Sequence, residues 1–253
     1  MSMQMMWPIV VLALFCEYVD STLGMGYGTT LTPILLLMGY EPIQIVPSVL
    51  LSEFLTGILA GVLHHEFGNV SFKPGSRPFK TVLVLALCSV VGTVAAVLVA
   101  VNIPAWLLKG YIGVLVLAMG VTILLTVNRT FAFSWKKLVG LGLLAAVNKG
   151  LSGGGYGPLV CGGQVLAGMK EKEAISITSL TEGLVCIVGV ITYLTTEIGH
   201  VDWSIAPSLV LGAVISVPFA ALTVKKVSLR HLRWAIGSAV TGLGLYTLIN
   251  LVT

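Results

Sequence analysis

Four charged residues stand where an apolar chain should carry none. Glu53 and Glu182 each fall near the middle of a hydrophobic run, while Asp20 and Lys149 sit just ahead of two glycine-rich turns, GMGYG from Gly24 and GGGYG from Gly153. A carboxyl removed from water favours its protonated form unless charges or donors compensate. That suits Glu53 and Glu182 to proton coupling, or to direct ligation of a hard cation. The competing reading is a pair of protonated carboxyls that bridge helices as structural hydrogen bonds. A lysine at mid-bilayer costs on the order of 3 kcal/mol even on lenient insertion scales, so Lys149 needs a partner. Asp20 is the structural candidate for that partner and an anionic substrate is the functional one.

The glycine turns suggest where such an anion would sit. Discontinuous membrane helices place partial positive charge and free N–H groups near the midplane, where they hold anions. The expected site takes Lys149, Asn148, Ser152, Gly154, Gly155 and Tyr156 from the second turn and Thr22, Gly26, Tyr27 and Gly28 from the first. Glu53, Glu182 and Asp20 are the expected coupling residues. The alternative is that the glycines only let helices approach closely. Glu17, one turn before Asp20, is placed near the membrane surface. His64, His65 and Glu66 are read as a solvated helix end, because adjacent histidines on a helix diverge and make a poor metal site. Cys16, Cys88, Cys161 and Cys186 lie in apolar segments without metal-ligand spacing and are read as packing residues.

These residues recur in register. Residues 24–58 and 153–187 align without a gap 129 residues apart, pairing Gly26 with Gly155, Tyr27 with Tyr156, Gly28 with Gly157, Gly39 with Gly168 and Glu53 with Glu182. Asp20 and Lys149 are equivalent on the same offset. Gly-Tyr-Gly and an intramembrane Glu in common register mark an internal duplication, as in transporters built from repeats. The last spans also align, now at an offset of 124, with Gly113 on Gly237 and Gly120 on Gly244.

The rest of the chain must hold these elements in a bilayer. With 57% hydrophobic and 9% charged residues, the 253-residue chain reads as an integral membrane protein, and no basic face is present to engage nucleic acid. Residues 5–38 are too long for one span and too short for two, so two short helices meeting at the glycine turn are expected; residues 138–169 repeat this. Plainer spans are expected at 43–63, 81–101, 105–127, 174–193, 205–224 and 234–252. If each broken stretch returns to the side it entered, the loops 64–80, 128–137, 168–173 and 225–233 share one side and carry 3, 3, 2 and 4 of the 14 Lys and Arg. Lys109 alone falls opposite. The positive-inside rule then puts these loops in the cytoplasm, and both termini and the acidic loop of Glu197 and Asp202 outside. The expected fold is all-α, with two inverted-topology repeats, 1–128 and 129–253, each a broken helix hairpin plus three transmembrane helices.

A family resemblance rests on the same segments. GLSGGGYGPLV followed by Gly168 and EAISITSLTEGLV resembles the second-repeat signature of the TauE/SafE family, and GMGYGTTLTPILLLMGYEPIQIVPSVLLSE resembles the first. Leu232–Arg233 with IGSAVTGLGLYTL is similar to the family's final helix. The resemblance implies a secondary transporter of sulfite, thiosulfate or an organosulfonate in the cell membrane. The rival from a different class is a cation or cation/proton exchanger using Glu53 and Glu182. A membrane enzyme is not supported, since no nucleophile–base pair or His/Cys cluster occurs, and no cofactor is expected. Oligomeric state and direction of transport are not written in the residues.

Overall fold

The computed structural model describes residues 5–126, 134–167, 169–196, 199–226 and 230–252. Gly168, Glu197, the linker residues 127–133 with the expected repeat boundary, and the extreme termini lie outside the described residues. The described chain is all helix, five elements followed by five. These are α1 (Trp7–Leu23), α2 (Tyr27–Leu37), α3 (Pro42–Glu66), α4 (Arg77–Ala100), α5 (Ala105–Thr126), α6 (Trp135–Ser152), α7 (Tyr156–Leu166), α8 (Glu171–Leu194), α9 (Ala206–Lys226) and α10 (Arg230–Val252).

Local sequence sets these limits. Gly24 ends α1 at φ 70° and Gly153 ends α6 at φ 71°, a left-handed backbone that only glycine adopts cheaply. α3 begins at Pro42 behind a capping box of Glu41 and Gln44, and α4 begins behind Ser76, whose hydroxyl accepts the Phe79 N–H. The two broken stretches are each a pair of short helices, as the glycine spacing predicts. Their ends, Leu23 and Ser152, Tyr27 and Tyr156, Leu37 and Leu166, keep the register of the sequence repeat.

Packing follows the same two-fold logic. α5 packs on α10 and α3 on α8, while α1 with α9 mirrors α6 with α4. Small residues allow the closest of these approaches, with Gly57 and Gly183 meeting at the α3–α8 crossing. α1 runs beside α9 in the same direction, Gly212 lying against Val10 and Leu14; α6 runs beside α4, Gly150 lying against Thr93 and Ala96.

Contacts also tell which helix ends lie together. At one end the Met6 N–H donates to Ser208 Oγ at 2.9 Å, Gln44 Nε2 donates to Asp202 Oδ2 at 3.1 Å, and Lys109 Nζ meets Glu41 Oε1 at 2.9 Å. Tyr40 Oη lies 3.5 Å from Met6 Sδ, so the start of α1 and the turn after α2 share this end. At the other end Asn69 Nδ2 donates to Ala221 O at 2.9 Å and Lys172 Nζ to Lys225 O at 2.7 Å. Five described helices are long and apolar enough to cross a membrane: α3, α4, α5, α8 and α9. Their outer faces stay bare, with Leu87 72% and Val91 70% exposed on α4, a cost in water but none against lipid tails. Trp7, Trp106 and Trp203 are exposed near the first end, and Trp135 and Trp234 sit near the starts of α6 and α10. That is where interfacial tryptophans settle.

Candidate functional site: a buried lysine between two glutamates

The site is built where the two broken helices stop. Both Asp20 and Lys149 occupy the last turn of their helices, and their carbonyls accept the N–H of Gly24 (2.6 Å) and Gly153 (2.8 Å). One residue further, the carbonyls of Ser21 and Gly150 have lost their intrahelical donors to the break. Two long side chains reach over to them: His64 Nε2 lies 3.2 Å from Ser21 O, and Tyr193 Oη donates to Gly150 O at 2.9 Å. His64 and Tyr193 are themselves repeat equivalents, so the same repair is made twice with different chemistry.

Lys149 is fully buried, and its Nζ contacts Glu53 Oε2 and, at 2.6 Å, Glu182 Oε1. The glutamates come from the middles of α3 and α8, one from each half, and meet at the crossing of those helices. Asp20, the structural partner expected for Lys149, has another role: its Oδ1 accepts the Tyr27 N–H at 3.1 Å and so bridges its own helix break. The reason is packing. α1 lies chiefly on α9 and α6 on α4, while α3 and α8 cross at the centre and bring their glutamates to the lysine first.

Beside this triad lies a cavity of about 10 Å³, lined by Glu17, Asp20, Glu53 and Glu182 with Thr56, Gly57 and Ser179. Glu17 is buried here, not at the membrane surface. Its oxygens accept from Ser21 Oγ at 2.6 Å and from Thr56 Oγ1 at 3.2 Å. Its i, i+3 spacing from Asp20 was the signal, since such residues share a helix face. His64 also departs from the solvated end expected for it. α3 continues to Glu66, the ring is fully buried, and Asn69 Nδ2 lies 3.0 Å from its Nδ1. Because the asparagine amide can only donate, Nδ1 accepts, and the proton sits on Nε2 facing Ser21 O. No three described His, Cys, Asp or Glu side chains converge as a metal centre.

The residues expected to hold an anion lie at the two glycine turns. The two glycine turns lie directly on each other: a Cβ on Gly28 would overlap the carbonyl oxygen of Gly153, and one on Gly154 would stand 2.7 Å from the carbonyl carbon of Gly28. Close backbone approach is therefore one reason for these glycines. Gly26 and Gly155 start α2 and α7 with positive φ. Tyr27 Oη lies 2.9 Å from Ser52 Oγ, and Tyr156 Oη 3.4 Å from Ser89 Oγ, which fixes both rings in the core. Asn148 accepts from Tyr111 Oη, Ser152 Oγ bonds across the turn to Gly154, and Thr22 turns back onto the Tyr18 carbonyl. Two hydroxyls not singled out in the sequence stand out here. Helical Ser and Thr usually bond the carbonyl four residues back, as Ser48, Thr81 and Thr181 do. Thr29 and Thr32 on the first turns of α2 are buried without any hydrogen-bond partner, and Thr32 Oγ1 faces Gly153.

Comparison with known proteins agrees over nearly the whole length. The family described as Sulfite exporter TauE/SafE matches residues 9–247. The probable membrane transporter protein YtnM of Bacillus subtilis (strain 168) is 26% identical, aligned over 94% of this chain and 81% of its own. No solved structure matches the chain.

Proposed function

The chain belongs to the TauE/SafE sulfite exporter family and is a multi-pass membrane transporter, not an enzyme; we propose that it carries a small sulfur-containing anion. Sulfite, thiosulfate and an organosulfonate are the candidates. The observation that carries this reading is Lys149, a buried ammonium one turn before the second glycine break, held at the α3–α8 crossing by one carboxylate from each half.

An ammonium already shared by two carboxylates has no place for an anion. Protonation of Glu53 or Glu182 weakens that hold, and the lysine is then free to pair with substrate in a low-dielectric setting. The anion and the proton are thereby linked: each makes the other's binding more favourable. The unpartnered hydroxyls of Thr29 and Thr32 and the Asn148 amide supply donors, and Ser152, Thr22, Tyr27 and Tyr156 join them on exchanging their present hydrogen bonds, with the backbone N–H groups of Gly26, Gly28 and Gly155 behind them.

Transport follows from the two halves being inverted repeats that rock about this centre. Supporting this, α1 starts and α2 ends at one end of the bundle, while α6 starts beside the beginning of α4 at the other. The described basic connections, after α3 and before α8, and the end of α9 lie at the second end, which faces the cytoplasm, and the end where α1 starts faces outward. Lys109, near the start of α5 at the outer end, is paired with Glu41. A reading as a cation exchanger is favoured by a single feature, the four acidic residues that line the cavity beside the Lys149 triad. Melting the purified protein with sulfite, thiosulfate, taurine and chloride tests the choice: stabilisation by sulfur anions and not by chloride is expected. No shift with any of these anions would reject the transport reading.

A further inference from the structure

We propose that the cavity beside the Lys149 triad is a binding site for one small monovalent cation, Na⁺. Four carboxyls from α1, α3 and α8 surround it, and the only ammonium among the described residues in contact with them is Lys149. That ammonium takes one oxygen of each central glutamate. The other two, Glu53 Oε1 and Glu182 Oε2, are buried in side chains only 3% and 5% exposed and have no hydrogen-bond partner. A buried carboxylate oxygen needs a proton or a cation. The free volume of about 10 Å³ is close to what one water molecule requires, and so suits a single small ion.

The lining selects the class of ion. Every polar side chain in its lining carries oxygen, as carboxyl or hydroxyl, the donor set of a hard cation. Two of the four acidic residues already share the Lys149 ammonium, which leaves less negative charge than a divalent ion calls for. A single charge needs fewer carboxylates. The cation would engage the free oxygens of the same two glutamates that hold Lys149, loosening the lysine as a proton would. This coupling rests on the anion reading above; the cation site itself does not.

Protons compete for the same oxygens, because the ligands must be ionised to hold the cation. The titratable groups around the cavity are Glu17 and Asp20 of α1, Glu53 of α3 and Glu182 of α8. Lys149 of α6 and Cys186 of α8 stand behind them, and Cys16, Tyr27 and Tyr156 complete the surround. Na⁺ affinity should therefore fall as pH falls.

The test uses the purified full-length protein without any sulfur anion. Thermal melts and ²²Na⁺ binding are compared in NaCl, KCl and choline chloride at equal ionic strength and several pH values. A saturable rise in Tm specific to Na⁺ is expected, with affinity at least about tenfold weaker in Glu17→Gln and several-fold weaker in the milder Ser179→Ala. Identical melts in all three salts, or a Na⁺ response unchanged in both variants, would overturn the site. Stability that responds to pH but not to Na⁺ would also overturn it, leaving the cavity to protons. Thiosulfate melts in choline chloride separate the two readings. A Na⁺ response without any anion response supports the cation site while rejecting anion transport; an anion response without a Na⁺ response removes the cation site alone.

Discussion

Asp20 and Lys149 hold the same place in the two halves, one turn before the glycine break, yet only Lys149 reaches the central glutamates. Asp20 is spent on the Tyr27 N–H. The duplication has therefore kept a backbone position and divided its chemistry, with a helix bridge in one half and a counter-charge in the other.

Removing the counter-charge should be costly for folding. Lys149→Met leaves two buried carboxylates unpaired and is expected to destabilise by about 3 to 5 kcal/mol in denaturant unfolding. Adding Glu53→Gln and Glu182→Gln to it should restore most of that loss. Adding Asp20→Ala should not, because Asp20 is not the lysine's partner.

The glycine crossing predicts a contrast between alanine substitutions. Gly28→Ala has no room beside Gly153 and should abolish assembly of the native fold, read as loss of a monodisperse peak in size-exclusion chromatography. Gly140→Ala meets nothing within 4 Å and lies inside α6, so it should stabilise by about 0.5 to 1 kcal/mol through helix propensity.

Tyr193→Phe removes the donor to the Gly150 carbonyl and should cost about 1 to 3 kcal/mol, the penalty for a buried acceptor left unsatisfied. His64→Phe strands both Ser21 O and one N–H of the Asn69 amide, whose other N–H keeps the Ala221 carbonyl, so a larger loss is expected, measured by thermal melts of the two variants side by side.

Transport should carry the signature of the glutamates. With thiosulfate, which stays ionised across the range, wild-type binding should strengthen as pH falls, because protonating Glu53 or Glu182 releases Lys149. Glu53→Gln and Glu182→Gln should each flatten that dependence, since the amide keeps the size but does not titrate. A pH profile unchanged in the double variant would make the pair structural.

Much of this was legible in the residues. Glycines at a fixed offset announce the two helix breaks because a left-handed helix stop has few other solutions, and a Glu in register on the adjoining span survives any choice of orientation. The partner of Lys149 was not legible. Offset alone nominates Asp20, while the choice of Glu53 and Glu182 depends on which helices cross at the centre. The burial of His64 was missed because α3 continues one turn past the apolar run, carrying the ring under Asn69 and against α1. Thr29 and Thr32 look like ordinary helical threonines until their missing carbonyl bonds are seen.

The competition for one ammonium is tested most directly by measuring thiosulfate binding to Glu53→Gln/Glu182→Gln and to the same variant carrying Lys149→Met. With its carboxylates gone, Lys149 should bind the anion at least about tenfold more tightly than in wild type at neutral pH. Adding Lys149→Met should abolish that binding while the protein stays folded. Equal affinity in the double and triple variants would contradict the role given to Lys149.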